Sequence, residues 1–260
     1  MNFHLLKLSP SSLHSVLIGA LIGAFIFSSP MTNKANAKTF DEADITNIEK
    51  IVKDYLLKNP EVIREALIEL ERRTAEAEKQ RQKKLLAENQ ELLTDPKYGF
   101  VTGNKDGDIT VVEFFDYNCP YCRQSLTDIV KLMDNDKNVR VILKEYPILG
   151  QASTNAAMAA LASRKQNKYM EFHTALLSAK GRINDEQITK IAKSVGLDVD
   201  QLKKDMKSAD VIESHKKNME VGQKLGINGT PTFIFNDQVI PQVLPYEAMK
   251  QLIARIRKAG

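Results

Sequence analysis

Thr110–Val130 reads T-V-V-E-F-F-D-Y-N-C-P-Y-C-R-Q-S-L-T-D-I-V and holds both cysteines of the chain, Cys119 and Cys122. Ile109–Phe115 before them is apolar except at Thr110 and Glu113, the pattern of a buried strand. After them Leu126, Ile129, Val130 and Met133 recur at helical spacing. The Cys-Pro-Tyr-Cys motif therefore falls at a strand-to-helix turn. Cys119 sits at or near the helix N-terminus, and Pro120 in the first turn, where its missing N–H costs nothing.

That position has chemical consequences. Free N–H groups and the positive end of a helix dipole favour a thiolate. The sequence predicts an acidic, exposed, attacking Cys119 and a more buried, resolving Cys122. Together they would exchange a disulfide with a partner through a mixed disulfide. Zinc would need four ligands; the chain offers one cysteine pair and four histidines, two of them (His4 and His14) at its extreme N-terminus. A structural disulfide across two residues would constrain almost nothing.

The wider composition fits an ordinary soluble protein: 260 residues, 43% apolar and 27% charged, with a net charge of +4 that gives no argument for nucleic acid. Residues 1–37 read apart from the rest. Lys7 precedes a twelve-residue apolar run, Val16–Phe27, and Ala35-Asn36-Ala37 follows as a small-x-small cleavage site. This is the pattern of a secretory signal peptide. The alternative is an uncleaved membrane anchor, although the run is short for about 30 Å of hydrocarbon.

Residues 38–94 carry helical periodicity and no strand signal. Ile45, Ile48, Val52, Tyr55 and Leu56 share one face, Asn59-Pro60 interrupts, and Ile63, Leu67 and Leu70 continue the stripe. Glu71–Lys84 follows as a charged spacer, read as a solvated helix. The stripe needs a partner. The separation by the spacer favours self-association, with packing onto the same chain's catalytic domain as the alternative. From residue 95 to 260 the order is strand, turn, motif strand and helix, strand Val139–Tyr146, helical insert at about 151–225, hairpin strands Thr232–Phe235 and Gln238–Ile240, and a final helix after Pro245.

This α/β order resembles the thioredoxin fold, and the long insert resembles its DsbA branch. V-E-F-F-D-Y-N-C-P-Y-C is similar to that family's active-site segment and G-T-P-T-F to its proline loop, the likeness covering residues 98–260. I-V-K-D-Y-L-L-K-N-P-E-V-I-R-E-A-L is similar to the helical oligomerisation segment of the ScsC-like branch. The resemblance implies a cis Thr230–Pro231 bond facing the two sulfurs, with the backbone of Thr230 open to pair with an extended substrate strand. Thr230 before the proline is similar to the isomerase pattern. Glu113, whose other reading is a solvent-facing edge position, becomes by resemblance a buried acid relaying protons to Cys122. Pro120 and Tyr121 would tune the thiolate. Tyr121 in place of the histidine common in strongly oxidising members implies a less acidic Cys119 and a less oxidising pair. His173 and His215 are read as surface or insert-packing residues.

The resulting expectation is an exported protein disulfide oxidoreductase and isomerase of the periplasm or cell envelope. It would use no cofactor beyond the Cys119–Cys122 disulfide and no metal. Its partners would be exported cysteine-containing proteins and a membrane redox partner, either a quinone-linked oxidant or a thiol-supplying reductant. A homodimer or homotrimer would form through the N-terminal helices. The competing class is a non-catalytic envelope chaperone or binding protein on the same scaffold.

Overall fold

The structure, a computed structural model, describes residues 39–259. The expected signal peptide lies outside them. By its contacts the chain forms two compact units, the first ending at Val62 and the second beginning at Ile63.

In the first unit, α1 (Glu42–Lys58) starts at a capping box. The Asp41 carboxylate accepts from the Asp44 N–H at 2.8 Å, and Asp44 accepts from the Asp41 N–H. Asn59 closes the helix by donating from its backbone and side chain to the Tyr55 carbonyl at 2.8 and 2.9 Å. No residue of α1 is buried. Pro60 then precedes α2 (Glu61–Glu88), a single helix whose charged middle is tied by exposed pairs such as Arg73–Glu69 and Arg81–Glu78. Each such pair contributes little beyond holding the helix in register.

The second unit is built on a five-stranded sheet in the order β1-β3-β2-β4-β5. The strands are β1 (Phe100–Gly103), β2 (Ile109–Phe115), β3 (Val139–Glu145), β4 (Thr232–Phe235) and β5 (Gln238–Ile240). β2 runs parallel to β3, and the other pairings are antiparallel. Strand alternation gives each face its own core. Val111, Phe115, Val141, Leu143, Phe233 and Phe235 face α4 (Pro120–Asn135), the helical insert and α10 (Tyr246–Ala259). Val112, Phe114, Ile142 and Ile234 face Leu86, Leu93, Tyr146 and Val221. Fully burying a side chain such as Phe114 stabilises the fold by roughly 1.5–3 kcal/mol.

The insert consists of α5 (Gln151–Ser163), α6 (Tyr169–Ser178), α7 (Asp185–Ser194), α8 (Val199–Asp205) and α9 (Ala209–Lys224). The Asn184 side chain caps α7 by accepting from the Gln187 N–H at 2.9 Å. α9 reaches the sheet through Gly222, where any Cβ would collide with the Tyr146 ring.

One expectation needs correction. By pattern residues 85–94 belong to the N-terminal segment, yet Leu86 and Leu93 are 2% and 1% exposed within the second core. The charge-rich run before them masks the fact that the leucines at the end of α2, and those of the short α3 (Gln90–Thr94), have the sheet as their partner.

Candidate active site

β2 ends at the sheet's C-terminal edge and delivers Asp116, Tyr117 and Asn118 into a tight turn. The Asp116 backbone carbonyl accepts from the Cys119 N–H at 3.1 Å. Its carboxylate accepts from the N–H groups of Asn118 (2.7 Å) and Leu149 (2.9 Å). Cys119 is thereby fixed as the N-cap of α4, with Pro120 in the first helical position. The antiparallel register Phe114↔Thr232 brings the start of β4 to the same edge, and with it Thr230 and Pro231, joined by a cis peptide.

Both cysteines are free thiols. Cys122 is fully buried and Cys119 is only 4% exposed, so the expectation of an exposed Cys119 is corrected. The reason lies across the site: the Cys119 sulfur is covered by the Thr230 carbonyl at 3.0 Å. Tyr121, by contrast, is 60% exposed beside it.

The two sulfurs differ sharply in acidity. Cys119 is held down at about 5, first by the hydrogen bond from the Cys122 thiol, then by the Thr230 side chain and the N–H groups of Cys122 and Tyr121, against an opposing cost of burial. Cys122 is pushed far up by burial, by its bond to Cys119 and by the negative potential of Glu113. Glu113 is 3% exposed in β2, the central strand, with β3 on one side and β4 on the other. The edge reading is thus excluded. Burial, reinforced by the charge on Cys119, pushes its carboxyl up to about 8.

The turn is tied into the insert by residues that sequence reasoning did not single out. Asn118 accepts from the Ile183 N–H at 2.7 Å and donates to Ser153 and to the Ile183 carbonyl. Arg123 donates to the carbonyls of Tyr117 and Gly181. Beneath them, Glu145 accepts from the hydroxyls of Tyr117 and Tyr169, both at 2.8 Å, and Tyr117 also meets His173 Nδ1 at 3.1 Å. Burial drives the Glu145 carboxyl well above its usual range, against the two tyrosine hydrogen bonds, and pushes His173 down to about 3, so the imidazole is neutral in this network. The signal for it was available as two charged residues, Lys144 and Glu145, ending the β3 strand after Val141, Ile142 and Leu143. His173 packs inside the insert, and His215 lines a cavity there. Among the described residues no three or more His, Cys, Asp or Glu side chains gather as metal ligands would, and no helix is long and apolar enough to cross a membrane.

Comparison with known proteins places this geometry in context. Residues 110–254 match a family described as DSBA-like thioredoxin domain, and residues 46–77 one described as copper resistance protein ScsC N-terminal domain. A thioredoxin-like oxidoreductase from Silicibacter pomeroyi is 45% identical and superposes with a TM-score of 0.64, covering 66% of this chain and 99% of that one. Proteus mirabilis ScsC in a transitional conformation is 28% identical, with a TM-score of 0.60 over 84% of this chain and 96% of its own. Disulfide bond formation protein D of Bacillus subtilis is 28% identical over 167 residues, 60% of this chain and 75% of that protein. Other matching relatives are far longer: the chain spans 22% of the length of a Na(+)/H(+) antiporter NhaA from Salinispora arenicola, at 27% identity.

Proposed function

The chain belongs to the DSBA-like thioredoxin domain family, and from that membership we propose that it is a periplasmic or cell-envelope thiol–disulfide oxidoreductase that forms and reshuffles disulfides in exported proteins. The observation that carries this reading is the asymmetry of the pair, Cys119 held near 5 and Cys122 pushed far up. At neutral pH the first is a stable thiolate and leaving group. The second keeps its proton until it is needed.

In the oxidising direction a substrate thiolate attacks the Cys119 sulfur of the Cys119–Cys122 disulfide. A substrate–Cys119 bond forms, the intramolecular bond breaks, and Cys122 leaves with the electron pair. Glu113, protonated near neutral pH, supplies the proton that Cys122 takes up, and it accepts that proton again when the pair is reoxidised. A second substrate thiolate then attacks the substrate sulfur of the mixed disulfide and expels Cys119 as thiolate. The substrate has lost two electrons and the enzyme is a dithiol. Thr230 and Pro231 border this point and would align an extended substrate strand, while Pro120 and the exposed Tyr121 shape the approach. A membrane partner, a quinone-linked oxidant or a thiol-supplying reductant, resets the pair.

The leader-like residues 1–37 support export. The exposed apolar residues of α1, together with the likeness to an ScsC N-terminal domain, support a homodimer or homotrimer. Two or more sites in one assembly would suit isomerisation.

The decisive experiment is oxidation of reduced, unfolded ribonuclease by the disulfide form. Cys119→Ser should abolish transfer, and Cys122→Ser, offered scrambled disulfide-bonded ribonuclease instead, should accumulate a mixed disulfide as its Cys119 thiolate attacks a substrate disulfide and expels one substrate thiolate. Undiminished activity of the Cys119→Ser protein would sink the proposal. Thiol trapping in the native compartment then assigns direction: an oxidised pair means net disulfide formation, a reduced pair isomerisation or reduction.

A further inference from the structure

We propose that the helical insert carries a second binding site, distinct from the cysteine pair, that takes a medium-chain aliphatic carboxylate. Between α5, α7, α8 and α9 lies a cavity of about 680 Å³. That volume falls within the range of small-molecule sites, which are mostly apolar with a few polar groups that fix orientation. Met158, Leu202 and Met206 line it with aliphatic and thioether surface. Methionine adapts its shape to flexible apolar chains.

The polar groups favour an anion. Lys203 and Lys207, four residues apart, both line the cavity, are exposed, and have no acidic partner among the described residues. The His215 ring also borders the cavity. The one carboxylate in the lining, Asp185, is already engaged by the Asn155 amide at 2.7 Å. Two cations without an acidic partner beside an apolar wall describe a receptor for a molecule with an acidic head and a saturated tail. None of the lining residues belongs to the Cys119 site.

The test uses the whole chain and the fluorescent probe 11-(dansylamino)undecanoic acid. Saturable binding of one probe per chain is expected. Decanoate should displace it about tenfold more effectively than decanol or decyltrimethylammonium. Reversing both surface charges, Lys203→Glu with Lys207→Glu, should weaken probe binding by about tenfold and leave thiol oxidation of ribonuclease unchanged. Thr189→Trp, in the lining, should block binding with the same oxidation rate. Absence of saturable binding would overturn the site. So would equal displacement by the three competitors, or indifference to both the double reversal and Thr189→Trp.

Discussion

The sulfur of Cys119 stands 3.0 Å from the carbonyl oxygen of Thr230, across 111 residues of chain. A thiol can donate to that oxygen and a thiolate cannot, so the carbonyl favours the protonated form. The Thr230 side chain acts the other way, as do the N–H groups at the start of α4. One residue thus both covers the nucleophile and helps to ionise it. A substrate strand pairing with the Thr230 backbone would compete for the carbonyl and release the thiolate.

Thr230→Val keeps the shape of the side chain and removes its hydroxyl. Losing a hydrogen bond to a charged group should raise the Cys119 pKa by about one unit. Thiolate absorbance at 240 nm, followed from pH 3 to 9, reads the midpoint directly. A midpoint unmoved from about 5 would show that the Cys122 thiol and the N–H groups of Tyr121 and Cys122 suffice.

Glu113 should leave a signature in stability as well as in catalysis. Its carboxyl is raised from 4.5 to about 8, chiefly by burial, so between those values the folded chain binds more protons than the unfolded one. Stability contributed by the neutral acid is complete below about 4.5 and is lost as pH rises towards 8. The full loss is on the order of 5 kcal/mol. Cys119, whose folded pKa is depressed, gives the opposite slope in the dithiol form, so the measurement belongs in the disulfide form, where burial alone, the larger cause, raises Glu113. Urea unfolding should show wild-type stability falling more steeply over this range than that of Glu113→Gln. A Glu113→Gln slope equal to wild type would place the titration elsewhere.

The sequence and the structure agree where short-range pattern decides the outcome. β2, the Pro120 helix start and the hairpin β4–β5 follow from a near-continuous apolar run, a proline position and an Asn-Asp turn. Long-range contact decides the rest. Whether Glu113 is buried depends on β4 pairing with β2 from more than a hundred residues away, and the cover over Cys119 comes from Thr230 on that same strand's approach. Leu86 and Leu93 look like the end of a charged spacer until the sheet face that receives them exists. The same is true of Glu145, whose partners Tyr117 and Tyr169 come from the motif turn and the insert.

Tyr121, exposed between the cysteines, offers a way to tune the pair without touching the core. Tyr121→His places a titratable cation near the sulfur and should lower the Cys119 pKa by about one unit. Each tenfold gain in thiolate stability corresponds to about 30 mV for a two-electron couple, so the potential should rise by roughly that amount. Equilibration against glutathione buffers measures it, and a fall in potential would contradict the electrostatic account.

The 17-residue α1 buries none of its residues, although Ile48 and Val52 are 44% and 50% exposed on a face shared with Ile45 and Tyr55. An isolated helix of that length is marginal in water and gains its stability from packing an apolar face. If copies of the chain supply that packing, Ile48→Asp with Val52→Asp should prevent it, because each acid would be carried unpaired into an apolar contact. Sedimentation equilibrium should then show an oligomer for the wild type and a single chain for the variant. Ribonuclease oxidation by the variant should persist, since Cys119 and Cys122 lie in the other unit, while reshuffling of scrambled disulfides should fall. A wild type that sediments as a single chain would leave the face to a partner within the same chain and would remove the oligomer from the proposed mechanism.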